Sequence, residues 1–311
     1  MSKSVIHIGA NKTGSTTLQR YLFSKIDKLI YLGEDCNDYN IYKDILNSLI
    51  LDDDIHYRYL EAKELFNYLN TSAKASEKTF IFSSEDVMSS HVPSLCAKRL
   101  HEFLPDADIL LIIRNQLTAI PSWYANHGAY LKKVPRRYWR RYVCFDEWMD
   151  YCIEFMNYSP LDSFFYHRIL GLYEPLFGLH KIHILFYEDF VENKTKFIKN
   201  ICEILEIREY EKKALSFIEG KRERKRHSMR QLKYNKLCSF LGGKDIVDLL
   251  PTPSMKKVLR NFLDSGMPAD GFVSEKWKKT IEDLYEQDNH KLVEKYKLDL
   301  GKYGYPLPKG K

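Results

Sequence analysis

Short, nearly continuous apolar runs recur along this chain, separated by stretches with a helical rhythm. Val5-Ile6-His7-Ile8, Thr79-Phe80-Ile81-Phe82-Ser83, Ile109-Leu110-Leu111-Ile112-Ile113 and Ile182-His183-Ile184-Leu185-Phe186 have the length of strands but lack the alternation of a half-solvated one. Such runs suit strands buried on both faces of a parallel sheet. The intervals carry apolar residues at helical spacing, as in residues 57–69 and 193–205. Strand, helix, strand order predicts an α/β fold with a central parallel sheet flanked by helices. Ligands of such sheets sit beyond the carboxyl ends of the strands, so the loops after these runs are where chemistry is expected.

Composition narrows the class. With 311 residues, 44% of them hydrophobic, the chain can bury a large core, and disorder is excluded. A net charge of +6 suits anionic substrates and falls short of a nucleic-acid footprint. No run approaches the roughly 20 apolar residues of a membrane helix. Met1-Ser2-Lys3-Ser4 leads straight into the first run without the apolar stretch of a signal peptide. The expectation is a cytoplasmic protein with no integral membrane segment and no nucleic-acid partner. The cysteines, at 36, 96, 144, 152, 202 and 238, show no C-x-x-C pair and fit reduced thiols. Residues 115–178, with Trp123, Tyr124, Tyr138, Trp139, Arg140 and Arg141, read as a helical, aromatic-rich insertion over the sheet edge. Residues 229–311 read as a helical, charged part with Pro251 and Pro253 as breakers and a Gly/Pro/Lys tail, and the whole of 1–311 as one domain.

Gly9-Ala10-Asn11-Lys12-Thr13-Gly14-Ser15-Thr16-Thr17 joins the first run to a helical stretch beginning Leu18-Gln19-Arg20. The first N–H groups of a helix lack intrahelical acceptors and the helix dipole favours negative charge there. Lys12 adds a full charge, and Thr13, Ser15, Thr16 and Thr17 add hydroxyl donors. In a Walker A loop, G-x-x-x-x-G-K-[ST], a lysine follows the second glycine. Here Ser15 stands at that position and the lysine precedes Gly14. A helix cap with a solvated lysine is the plainer alternative. The second run exits into Ser83-Ser84-Glu85-Asp86, where a carboxylate can serve as base, metal ligand or helix cap. The third exits into Arg114, whose planar fork suits phosphate, and Ser122 follows eight residues later.

In this order, the segments resemble those of sulfotransferases that use 3′-phosphoadenosine 5′-phosphosulfate (PAPS), in their bacterial, carbohydrate-sulfotransferase-like form. Lys12-Thr13-Gly14-Ser15-Thr16 resembles the 5′-phosphosulfate loop, and Arg114 with Ser122 the 3′-phosphate motif. Glu85 resembles the glutamate base that several carbohydrate sulfotransferases carry after the second core strand. Phe186-Tyr187-Glu188-Asp189-Phe190 resembles a Tyr-Glu-Asp segment, in which Glu188 and Asp189 are read as structural. Residues 221–228 lie where the family has a loop closing over the 3′-phosphate and adenine. The likeness covers residues 4–24, 79–86, 108–124 and 181–206. It implies a P-loop-like three-layer fold and sulfuryl transfer from PAPS to an acceptor hydroxyl, releasing 3′-phosphoadenosine 5′-phosphate. Lys12 and Glu85 are then the catalytic residues, and Thr13, Gly14, Ser15, Thr16, Thr17, Arg114, Ser122, Arg224, Arg226 and Ser228 join Lys12 in holding the donor. No metal is required, since Lys12 and Arg114 take the part of magnesium in kinases. The aromatic, basic character around Trp123, Tyr124 and His127 points to a carbohydrate or glycoconjugate acceptor. His7 and His127 are competing bases, His7 fitting better as a core residue. A P-loop kinase using Mg-ATP and a non-catalytic nucleotide-binding protein are the alternatives.

Overall fold

The computed structural model describes residues 3–10, 12–36, 38–125, 143–221, 228–240, 245–266 and 273–309. Five strands, β1 (Ser4–Gly9), β2 (Leu29–Gly33), β3 (Thr79–Ser84), β4 (Asp108–Ile113) and β5 (Ile182–Phe186), form one sheet in the order β2-β3-β1-β4-β5. Every pairing is parallel. Four strands are the apolar runs noted above; β2 is an addition. Register aligns their exits: Ile8 pairs with Ser84, Gly9 with Ile112, and Ile113 with Phe186. The loops after β1, β3, β4 and β5 therefore open on one edge. The chain leaves β1 toward β3 and β2 but leaves β4 toward β5, which makes the β1–β4 boundary the crevice such sheets use for ligands.

Helices α1 (Ser15–Leu18), α2 (Tyr39–Leu51), α3 (Tyr59–Ala75), α4 (Pro93–Phe103), α5 (Gln116–Trp123), α6 (Phe145–Glu154) and α7 (Tyr166–Phe177) occupy the first two thirds of the chain. After β5 come α8 (Tyr187–Glu192), α9 (Lys194–Ile204), α10 (Glu211–Ile218), α11 (Met229–Phe240), α12 (Pro253–Asp264) and α13 (Glu275–Tyr296). Successive side chains of a strand point to opposite faces, so the sheet feeds two cores. Ile6, Ile8, Phe80, Phe82, Ile109, Leu111 and Ile113 pack with residues of α2, α3, α4, α7 and α13. Val5, Ile81, Leu110 and Ile112 face the other way, against Leu18, Leu22 and residues of α9 and α10. Burial on both sides is why the runs lack alternation.

Aromatic richness beyond residue 143 is core, not covering layer. Trp148, Phe164, Tyr166 and Tyr173 are fully buried in the larger cluster, and α7 packs on β4 and α4. Helix α13 lies against α7 and α5, where the buried Asn289 exchanges hydrogen bonds with Gln116 and also donates to the Pro306 carbonyl at 2.9 Å. The stretch after α13, read from sequence as a Gly/Pro/Lys tail, is packed: Leu300 and Tyr305 are buried. All six cysteines are unbridged. Among the described residues no helix is long and apolar enough to cross a membrane.

Candidate active site

The loop after β1 turns through two left-handed residues, Lys12 at φ 70° and Gly14 at φ 84°. For lysine that conformation costs roughly 1–2 kcal/mol and needs support from its surroundings. Arg114 supplies part of it by donating from Nη1 to the Lys12 carbonyl at 2.8 Å. Thr13 adds a bond from Oγ1 to the Ala10 carbonyl at 2.6 Å, and its hydroxyl lies 3.2 Å from Ser15 Oγ. Both glycines sit in close quarters, and the positive φ of Gly14 favours glycine there. A Cβ at Gly9 would stand 2.8 Å from Ser15 Oγ, and one at Gly14 would stand 3.1 Å from the Phe190 ring. Helix α1 begins at Gly14 with no side-chain cap and no acidic residue in its first turn, so the positive end of its dipole is left for an anion.

Beneath the loop lies a buried polar chain. Helix α1 runs on as a π turn, Gln19–Phe23, of a kind common at functional sites. Gln19 Nε2 donates to Ser83 Oγ at 2.9 Å, and Ser83 Oγ lies 2.7 Å from His7 Nδ1. His7 is completely buried, which lowers its pKa to about 3 and leaves the imidazole neutral at neutral pH.

Glu85 follows β3 and leans over the loop. Its Oε1 is 3.5 Å from Thr16 Oγ1, and its Cγ lies 3.3 Å from where a Gly9 Cβ would be. Asp86 is exposed, and the turn is capped by Ser84 Oγ, which accepts from the Asp86 N–H at 3.2 Å. Among the described residues no group of three or more His, Cys, Asp or Glu is arranged to hold a metal.

Arg114 is buried at the exit of β4. Besides its bond to the loop, it donates from Nε to Thr118 Oγ1 at 3.0 Å and from Nη2 to the Thr118 carbonyl at 3.2 Å. Its guanidinium rests over the Tyr187 ring, 4.6 Å from the centroid. Thr118 and Ser122, four residues apart on α5, share a helix face. Thr118 and Tyr187 were not singled out from sequence; Thr118 was visible as the residue one turn after Arg114, and Tyr187 as the head of the Tyr-Glu-Asp segment. In that segment, Glu188 accepts from the Asn115 N–H at 2.9 Å and from the Tyr305 hydroxyl at 3.0 Å, and burial raises its pKa. Asp189 takes the Tyr303 hydroxyl. Asn115 caps α5 through its Oδ1 and donates to the carbonyls of Tyr303 and Gly304 at 2.9 and 2.8 Å. The C-terminal tail thus fastens the turn that carries Arg114, a link with no sequence signal.

The remaining expected residues divide. Trp123 is half-buried and stacks on Trp148, centroids 5.8 Å apart. Tyr124 is buried, donates to the Val143 carbonyl at 2.8 Å, and lines a cavity of about 200 Å³ with Phe145, Lys233 and Lys236. Ser228 lies just before α11. Its Oγ accepts from the Gln231 N–H at 3.0 Å and donates to the Leu263 carbonyl, so its hydroxyl caps α11 and ties that helix to α12. His127, Arg224 and Arg226 lie outside the described residues.

The family model for the sulfotransferase domain matches residues 2–240. Among solved structures, the chain is similar to a sulfotransferase from Alicyclobacillus acidocaldarius, at 11% identity and a TM-score of 0.52, over 97% of this chain and 99% of that one. It is also similar to a sulfotransferase domain from the curacin biosynthetic pathway (14% identity, TM-score 0.42, 86% of this chain and 99% of that one). A third similarity is to the sulfotransferase domain of an olefin synthase from Synechococcus PCC 7002 (16% identity, TM-score 0.44, 86% of this chain and 96% of that one). No curated protein matches the chain. At such identities the first of these structures speaks for the fold, and the domain match, over more than half of the chain, for the family. A phosphate-type loop on a five-stranded parallel sheet, matched by that domain over most of its length, makes this chain a member of the sulfotransferase family and a sulfuryl-transferring enzyme.

Proposed function

We propose that this enzyme moves a sulfuryl group from PAPS to a hydroxyl of a carbohydrate or glycoconjugate, with Glu85 as base and Lys12 at the leaving phosphate. The observation that carries the reading is the meeting of Glu85 with the loop: its carboxylate is 3.5 Å from Thr16 Oγ1, beside the uncapped start of α1. A base there has reach to an acceptor hydroxyl brought against a sulfuryl group on the loop. The acceptor oxygen bonds to sulfur, the bond from sulfur to the phosphate oxygen breaks, and Glu85 takes the acceptor proton. Lys12, the loop amides and the hydroxyls of Thr13, Ser15, Thr16 and Thr17 offset charge growing on the departing phosphate, where fixed donors act most strongly. Arg114, with Thr118 and Ser122 on the adjoining helix face, fits the second phosphate of the donor.

The acceptor class rests on Trp123, which stacks on Trp148, and on the cavity walled by Tyr124, Phe145, Lys233 and Lys236. Aromatic faces stack on sugar rings, and lysines tolerate acidic glycans. Glu85→Gln is expected to lower kcat by about 10²–10⁴-fold while thermal stabilisation by 3′-phosphoadenosine 5′-phosphate is kept. A wild-type rate in that variant removes Glu85 as base. Transfer to phenols alone, in a panel of phenols and glycans, removes the carbohydrate acceptor.

A further inference from the structure

Among the described residues, helix α12 carries an exposed apolar stripe. Met255, Val258 and Phe262 recur at the spacing of one helix face and are 47%, 69% and 54% exposed. Leu263 alone of this helix is buried. Leu249, just before the helix, and Leu237 on α11 are also exposed, at 70% and 53%. Contiguous apolar surface of this kind marks an interaction site when it is rimmed by polar groups. The helix lies past residue 240, where the family match ends, so the family's reaction does not account for it.

The rim is basic. Arg230 of α11 lies over the Phe262 ring at 4.4 Å and reaches Ser265 Oγ at 3.0 Å, which brings the exposed faces of α11 and α12 side by side. Lys257 of α12 is exposed, while the exposed Lys233 and Lys236 of α11 line the cavity with Tyr124 and Phe145. The neighbouring acids are mostly engaged: Asp245 takes the Tyr234 hydroxyl and the Val247 N–H, and Asp248 faces Arg260 at 3.6 Å. Asp264 is the exposed exception. An amphipathic helix with Phe and Leu on one side and Lys and Arg on the other is the signature of a segment lying in a membrane interface.

We propose that the α11–α12 face docks the enzyme on an anionic lipid surface, with Val258, Phe262 and Met255 entering the acyl boundary and Arg230 and Lys257 meeting headgroups. A second copy fits less well, because it would set the arginine and lysines of one chain against those of the other.

Flotation of the full chain with vesicles tests this. Wild type is expected to float with mixed phosphatidylglycerol–phosphatidylcholine vesicles at low salt and not with phosphatidylcholine alone. Val258→Asp with Phe262→Asp should lower partitioning by about tenfold or more, because the apolar contacts are lost. Lys257→Gln should lower it roughly fivefold. Both variants change exposed side chains, so an unchanged melting temperature accompanies the loss. Absence of wild-type flotation at low salt overturns the proposal, and so does a double variant that floats like wild type. A concentration-dependent dimer abolished by the double variant, without vesicle binding, overturns it in favour of an interface between copies.

Discussion

Gly14 stands where three demands meet. It is left-handed, it starts α1 without a cap, and it lies against the Phe190 ring. Gly14→Ala adds about 1–2 kcal/mol of backbone strain and a methyl 3.1 Å from that ring. The expected result is a melting temperature lowered by several degrees and weaker stabilisation by 3′-phosphoadenosine 5′-phosphate, both read in one thermal-shift titration. His7 gives a prediction in pH. In the unfolded chain its imidazole binds a proton below the ordinary histidine value of 6.5, but in the fold only below about 3. Between those values the unfolded state holds more protons, so this group lowers stability as pH falls, by about 1.4 kcal/mol per pH unit, and has no effect above the window. His7→Gln cannot titrate, so its stability deficit relative to wild type should shrink from pH 6.5 toward pH 4 in urea melts. A deficit independent of pH would mean that burial leaves the His7 pKa where it stands in the unfolded chain.

Elements differ in how much their residues disclose. The four runs around β1, β3, β4 and β5 were legible because strands buried on both faces leave unbroken apolar stretches. So was the edge on which the loops lie, since parallel pairing puts every carboxyl end on one side. Strand β2 was not, because Leu29-Ile30-Tyr31-Leu32-Gly33 sits at the sheet margin with Ile30 and Tyr31 only half-buried. The position of Glu85 over Gly9 follows from register, which a run of apolar residues does not encode. The contact of Ser228 with the Leu263 carbonyl was equally hidden, because it joins residues 35 positions apart. Helix α2 adds a test of ending rather than beginning. Arg99 is buried and donates to the carbonyls of Leu49 and Asp52 at 3.0 and 2.8 Å and to Asp54 at 2.7 Å, supplying acceptors that the end of a helix leaves unpaired. Arg99→Met keeps the bulk and strands those carbonyls, with an expected loss of about 1–3 kcal/mol in urea melts and no change in donor affinity.

At the scale of the molecule, the catalytic edge is tied together by long connections. Arg114 joins the loop after β1 to the helix after β4, and Glu188 joins that helix to the tail. Removing the Tyr305 hydroxyl should therefore be felt at the donor site. Tyr305→Phe leaves the buried Glu188 one donor short, and is expected to cost about 1–3 kcal/mol and to raise KM for PAPS more than it lowers kcat. An unchanged KM would separate the tail from the site.

The tail also sets a clock. Gly304, whose carbonyl receives the Asn115 amide, is made 189 positions after that asparagine. At about 5–20 residues per second, the ribosome takes roughly 10–40 s to cover that distance. From the completion of β5 at Phe186 until Gly304 is added, the nascent chain holds the whole of its sheet, its loop and Glu85, but not the clasp on the Arg114 turn.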